Sequence, residues 1–200
     1  MKVLVACEFS GIVRDAFIKK GHDAISCDLL PTEQPGPHIQ GDVLEVLGAG
    51  WDMMIAFPPC THLTCSGARW FEKKREDGRQ QEGIDFFMQF ANAKCKKIAI
   101  ENPVGIMSKE WRPPDQIIQP YYFGDGIQKT TCLWLKNLPC LAHWDSDNLF
   151  FKNSHTKPGP TKTFKSGKKM SMWYYENWGD AKTLSKTFQG IANAMAEQWG

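Results

Sequence analysis

Four short apolar runs, each closed by a turn and separated by loops and helix-length amphipathic stretches, constrain this chain more than any other feature. Val3-Leu4-Val5-Ala6 reads as a buried strand, bounded by the turn-forming pair Ser10-Gly11. Ile12 to Lys20 then places Ile12, Val13, Ala16 and Phe17 on one helical face, and Gly21 ends the helix. Ala24-Ile25-Ser26-Cys27 is a second strand, ending at Asp28; Pro31, Pro35 and Pro37 make the following segment a loop. Met53-Met54-Ile55-Ala56 is a third strand, closed by Phe57-Pro58-Pro59. A polar segment from Glu72 to Gln81 precedes Glu82 to Cys95, where Ile84, Phe87, Met88 and Ala91 form a helical stripe. Lys97-Ile98-Ala99-Ile100 is a fourth strand, ending at Glu101. This rhythm predicts an α/β fold, a mostly parallel sheet with helices on both faces. Such sheets bind ligands beyond the carboxyl ends of their strands, where Glu8, Asp28, Cys60 and Glu101 fall.

The 200 residues suffice for one well-buried domain. A net charge of +2 neither demands nor excludes a nucleic-acid partner. The seven cysteines, irregularly spaced from Cys7 to Cys140, fit reduced thiols rather than a disulfide framework. Met1 to Cys7 is apolar for too few residues to be a signal peptide, and nothing approaches the roughly 20 apolar residues of a membrane span. The expectation is a soluble cytoplasmic protein with no membrane partner.

Beyond Lys136 the character changes. Phe150 to Trp173 contains six lysines (Lys152, Lys157, Lys162, Lys165, Lys168, Lys169) and no acidic residue. Phe150, Phe151, Phe164, Trp173, Tyr174 and Tyr175 are interleaved, and Pro158, Gly159, Pro160 and Gly167 make the stretch loop-like. It reads either as a solvated surface loop or as a track for phosphates with aromatics that stack on bases. Ala181 to Trp199 reads as helical. The expected organisation is a core over 1–136, a short basic recognition or lid insertion over 137–180, and a C-terminal helix over 181–200 that completes the core.

The sharpest local signal is Phe57-Pro58-Pro59-Cys60. Two prolines stiffen the backbone after a strand and hold a thiol at its mouth, where a partly ionised cysteine acts as a nucleophile. The alternative is a packed structural cysteine. The second signal is Glu101-Asn102-Pro103: a carboxylic acid at a strand end, short of water, can be tuned to donate a proton, although alone it also reads as a solvated carboxylate. Chemistry at carbon 5 of a pyrimidine needs this pair, a thiolate to add to carbon 6 and an acid to protonate ring nitrogen 3. Cys60, His62 and Cys65 offer zinc-type ligands, but with no fourth nearby the expectation is no metal.

Taken in order, these motifs make the chain similar to the DNA cytosine-5 methyltransferase family, as a short, phage-like member. Phe9-Ser10-Gly11 resembles that family's turn for S-adenosyl-L-methionine, Asp28 its ribose-binding carboxylate, and Asp42 in Gly41-Asp42-Val43 its adenine contact. Pro58-Pro59-Cys60 and Glu101-Asn102-Pro103 resemble the nucleophile and acid motifs, and Asn193 lies in a stretch resembling the helix start that completes the cofactor pocket. The resemblance implies a Rossmann-like methyltransferase that uses S-adenosyl-L-methionine to methylate carbon 5 of cytosine in duplex or single-stranded DNA. Gln128 matches a family glutamine ahead of a strand through Trp134 and Leu135, while the two arginine positions beyond it hold Thr130 and Cys132. Lys129 is the nearest substitute, and Lys162, Lys165, Lys168 and Lys169 fall where the family inserts its recognition region. Thr61-His62-Leu63-Thr64 and the bulky Arg14 also depart from the pattern. A free pyrimidine nucleotide as substrate, or a non-catalytic nucleic-acid-binding relative, remain alternative readings.

Overall fold

A computed structural model describes residues 1–143 and 156–200; Phe150, Phe151 and Lys152 lie outside the described residues. Seven strands form one sheet: β1 (Lys2–Ala6), β2 (Asp23–Asp28), β3 (His38–Gln40), β4 (Met53–Ala56), β5 (Lys97–Pro103), β6 (Gln116–Ile118) and β7 (Thr131–Lys136). Their order is β3-β2-β1-β4-β5-β7-β6. The pairings among β1 to β5 are all parallel, and β7 runs antiparallel to both β5 and β6. A two-stranded antiparallel hairpin, β8 (Thr161–Thr163) with β9 (Lys169–Ser171), stands apart. The helices are α1 (Ile12–Lys19), α2 (Phe71–Glu76), α3 (Arg79–Ala91), α4 (Met107–Glu110), α5 (Met172–Glu176), α6 (Ala181–Ser185) and α7 (Gln189–Trp199).

The central strands are apolar throughout because both of their faces are covered. Val3, Val5, Met53 and Ile55 pack with Val13 and Phe17 of α1 and with Ile191, Met195 and Trp199 of α7. Their neighbours Leu4, Ala6, Met54 and Ala56 face the opposite way, onto Phe87 and Phe90 of α3, Leu63 and Met107. The fold is therefore α/β and Rossmann-like, a mostly parallel sheet with helices on both faces. From β1 the chain proceeds outward to β2 and β3 on one side, then returns to place β4 and β5 on the other. The order reverses between β1 and β4, so the crevice for a ligand opens between Cys7–Gly11 and Phe57–Cys60.

Several elements differ from the sequence reading for identifiable reasons. β3 forms within the proline-bounded loop because His38 to Gln40 pair with Ser26 to Asp28 at a sheet edge. The polar stretch 72–81 holds α2 and the start of α3, whose Gly78 at φ 81 provides the left-handed turn between them. β5 runs on to Pro103 because β7 pairs with it along its whole outer half. The core continues past Lys136: Leu141 is buried, Ala142 exchanges two hydrogen bonds with Gln198, and the Trp199 indole donates to the Pro139 carbonyl. The C-terminal helical stretch is broken at Lys186, whose backbone is extended. There the Lys129 ammonium donates to the carbonyls of Leu184 (2.7 Å) and Lys186 (3.5 Å), oxygens that a continuous helix would use itself.

Candidate active site

The turn after β1 is built around Glu8. Its buried carboxylate accepts the backbone N–H of Val13 at 2.7 Å, that of Arg14 at 3.3 Å, and the Ser10 hydroxyl at 3.1 Å. It thereby caps the start of α1, where four N–H groups lack partners within the helix. Burial still raises its carboxyl above the ordinary carboxylate range, against the pull of those hydrogen bonds and of Arg14. Gly11 turns at φ 77, and a side chain there would strike the Arg14 guanidinium, 2.5 Å from where its Cβ would lie. Arg14 does not enter the crevice. It is fully buried and donates to Asp15, to the hydroxyls of Ser26 and Thr32, and to the Gln34 carbonyl, pinning the loop around Pro35.

A cleft of about 560 Å³ opens at this crevice. Phe9, Ser10, Asp28 and Leu30 line one end, and Pro59 and Cys60 the other. The Asp28 carboxylate is set at the wall by accepting the Leu30 N–H at 2.9 Å. The rim is strapped across. Glu33, whose N–H donates to the Phe9 carbonyl, takes the ammonium groups of Lys182 (3.0 Å) and Lys186 (2.7 Å), and Lys182 also sits over the Phe9 ring. Nothing in the sequence singled out Glu33, Lys182 or Lys186; about three-quarters of the chain separates Glu33 from the two lysines, and they meet only in the fold.

Asp42 and Asn193 do not line this cleft. Asp42 is exposed and accepts the Leu44 N–H at 2.9 Å as a helix cap, although it stays close enough to raise the Cys7 thiol together with burial and Asp28. Asn193 is exposed on α7 and accepts from Gln189 at 2.9 Å.

Cys60 lies four residues beyond the end of β4, and the register Ala56 to Ile100 places Glu101, within β5, one residue past the last pair between the two strands. Alternation along β5 then separates two jobs. Glu101 faces the α7 side, in a notch lined by Phe57, Lys129, Thr131, Phe188 and Met195. Asn102 faces the opposite way, is buried, and donates its side-chain amide to the Pro58 carbonyl at 2.8 Å. The loops after β4 and β5 are also stitched by backbone: Ile106 N–H to Leu63 O at 2.9 Å and Cys65 N–H to Val104 O at 3.0 Å. The buried Lys74 ammonium donates to the Thr61 carbonyl at 2.6 Å. His62 is half-buried, and its carbonyl accepts from Gln80 at 3.5 Å.

The electrostatics of the pair are coupled. Burial, then the Glu101 carboxylate, raises the half-buried Cys60 thiol above its ordinary value; Lys129, a backbone hydrogen bond and Lys74 oppose this. Burial raises Glu101 as well, and Lys129 and the Thr131 hydroxyl draw it back. Thus Lys129 favours both anions at once, while a protonated Glu101 no longer repels a thiolate at Cys60. The sequence reading could offer Lys129 only as a poor substitute for an arginine; its two backbone acceptors on the α6–α7 connection show what holds it in place.

Gln128 points elsewhere, donating to the Gly159 carbonyl and so tying the approach to β7 to the base of the hairpin. On the hairpin Lys162, Lys165, Lys168 and Lys169 are all exposed, and Lys162 lies over the Tyr175 ring at 4.9 Å. Among the described residues no three His, Cys, Asp or Glu side chains are grouped to hold a metal ion. None of their helices is long and apolar enough to cross a membrane.

No protein-family model matches the chain, and no curated protein is similar to it. Among solved structures, one similar fold belongs to an E. coli protein encoded within a prophage and provisionally assigned as a DNA modification methyltransferase. It shares 16% identity over 68% of this chain, with a TM-score of 0.45. The matched region spans 46% of that protein, so this chain covers about half its length.

Proposed function

We propose that this protein transfers a methyl group from S-adenosyl-L-methionine to carbon 5 of cytosine in DNA, with Cys60 as nucleophile and Glu101 as acid. The observation that carries the reading is one cleft lined by both Asp28 and Cys60, with Glu101 in an adjoining notch that shares Phe57 and Lys186 with it.

The residues at the first end suit the cofactor by their chemistry. Asp28 offers a carboxylate to ribose hydroxyls, the Phe9 ring and Leu30 offer apolar faces to a purine, and Ser10 lines the turn between them. When bound, the cofactor supplies an electrophilic methyl carbon. Cys60, as thiolate, forms a bond to carbon 6 of a cytosine turned out of its stack. Glu101 gives its proton to ring nitrogen 3, so the electron pair displaced from the 5,6 double bond is held as an enamine and carbon 5 becomes nucleophilic. After carbon 5 has taken the methyl group, loss of its proton to a base re-forms the double bond and expels the Cys60 thiolate, and the proton on ring nitrogen 3 returns to Glu101. Asn102 holds the Pro58-Pro59-Cys60 turn, and Lys129 stabilises the thiolate.

The test is incubation with labelled S-adenosyl-L-methionine and duplex DNA, single-stranded DNA or dCMP. The reading expects 5-methylcytosine in DNA. Label in dCMP alone would assign a free nucleotide as substrate, and cofactor binding without transfer to any of the three would remove the catalytic claim.

A further inference from the structure

Two of the most exposed large apolar side chains in the molecule, Trp70 at 51% and Trp178 at 65%, line the same groove. They come from distant parts of the chain, Trp70 just before α2 and Trp178 just after α5. The groove, about 350 Å³, shares Thr61, Tyr174 and Leu184 with the cleft that holds Cys60, and Asp28 is not part of its lining. Its lining carries one charged residue, Arg69, which lies 5.1 Å over the Trp70 ring, and no carboxylate. Trp178 is packed edge-on by Tyr174. Beyond it lies a second hollow, about 410 Å³, lined by Trp178, Tyr175, Phe164, Lys168 and Met170. A continuous surface thus runs from the nucleophile, past the two tryptophans, to the lysines of the hairpin.

We infer that this groove binds the stretch of single-stranded polynucleotide next to the reacting base, with Trp70 and Trp178 as stacking platforms for unpaired bases. The inference rests on the proposed cytosine chemistry for the position of the reacting base. Three observations select this occupant. Exposed indole faces spaced along a groove are sequence-tolerant platforms for bases, and every base has such a face. The cationic lining, with the hairpin lysines further on, complements phosphates. The groove is also continuous with the place where a base must sit to meet Cys60. A duplex keeps its bases stacked on one another and leaves the indoles little to stack on, so the substrate class is single-stranded or locally opened nucleic acid.

The full chain is tested with a labelled twelve-nucleotide strand containing one cytosine, as DNA, as RNA and as a DNA duplex, by fluorescence anisotropy. Trp70→Ala and Trp178→Ala should each weaken single-strand binding about ten-fold, and the Phe variants should restore most of it. Binding of duplex and of dCMP should change less than two-fold. Equal loss for DNA and RNA indicates recognition of the strand, and loss confined to DNA adds recognition of the sugar; either supports the groove. Unchanged single-strand affinity in the double Ala variant with native melting behaviour, or equal losses for strand and duplex, overturns it. Failure of the two readings is separable: strand binding that depends on the tryptophans without methyl transfer leaves the groove and removes the chemistry. Methyl transfer to a strand with no effect of either tryptophan does the reverse.

Discussion

Asn102 donates its side-chain amide to the carbonyl of Pro58 at 2.8 Å, joining the residue after Glu101 to the turn that carries Cys60. Both partners are buried, so removing the amide leaves an unpaired carbonyl and a loosened turn. Asn102→Ala should lower methyl transfer about a hundred-fold, the scale of a displacement of about 1 Å at a reacting group. Cofactor affinity should hold within a few-fold, because Asp28 and Phe9 lie on other strand ends. Comparing kcat with cofactor binding by calorimetry checks this.

Glu101→Gln keeps the shape and removes the proton donor. Transfer should fall by about 10² to 10⁴, the usual contribution of a positioned acid. Stability should move the other way. The folded carboxyl is raised above its ordinary value of 4.5 by burial, so its favourable contribution is complete below that value and is lost as pH rises through the folded pKa. The Gln variant should therefore melt at the same temperature as wild type in acid and at a higher temperature near neutrality. Melting curves across pH decide the point.

The central rhythm of the fold was legible because β1, β4 and the Ile98 to Ile100 stretch of β5 are buried on both faces and read as unbroken apolar runs. The nearness of Cys60 and Glu101 followed from the same runs, since β4 pairs with β5, although Glu101 lies within β5 rather than beyond its end. The elements that stayed hidden are set by tertiary contact. The break in the C-terminal helix depends on Lys129 taking carbonyls more than fifty residues away, and β3 on an edge offered by β2. Asp42 and Asn193 sit in motif-like stretches, yet the one caps a short turn and the other faces solvent. The signal that could have marked the groove was two tryptophans in polar surroundings, Arg69-Trp70 and Asn177-Trp178, which helical or strand periodicity does not explain.

Lys129 acts on both members of the pair, lowering Cys60 and Glu101 alike. Activity needs an ionised thiol, which gives the rising limb of the pH profile, and a protonated acid, which gives the falling limb. Lys129→Met removes the opposing charge from both, so the whole profile should shift to higher pH. On the rising limb the rate at a given pH should fall roughly ten-fold for each unit by which the thiol rises. Measurement of kcat against pH for both proteins tests this, and an unshifted profile would limit Lys129 to holding the Leu184 and Lys186 carbonyls.

Gly105 lies where the loops after β4 and β5 meet, and a Cβ there would stand 2.2 Å from the Leu63 carbonyl oxygen. The obstacle is backbone, which cannot swing aside as a long side chain can. Gly105→Ala should destabilise the fold by about 1–3 kcal/mol and lower transfer more than stability alone accounts for, because the Leu63–Ile106 hydrogen bond that joins the loops must lengthen. Denaturant unfolding beside kinetics separates the two effects.

The proposed chemistry depends on the thiol of Cys60, which covalent capture on a modified base tests. Wild type and Cys60→Ser are incubated with S-adenosyl-L-methionine and DNA carrying 5-fluorocytosine, whose fluorine cannot leave as the carbon 5 proton does. The wild-type protein should accumulate as a denaturation-resistant complex with the DNA, and Cys60→Ser should form none and lose methyl transfer to ordinary cytosine by orders of magnitude. A serine variant that methylates cytosine as fast as wild type, or a wild type that methylates without ever being trapped, would contradict it.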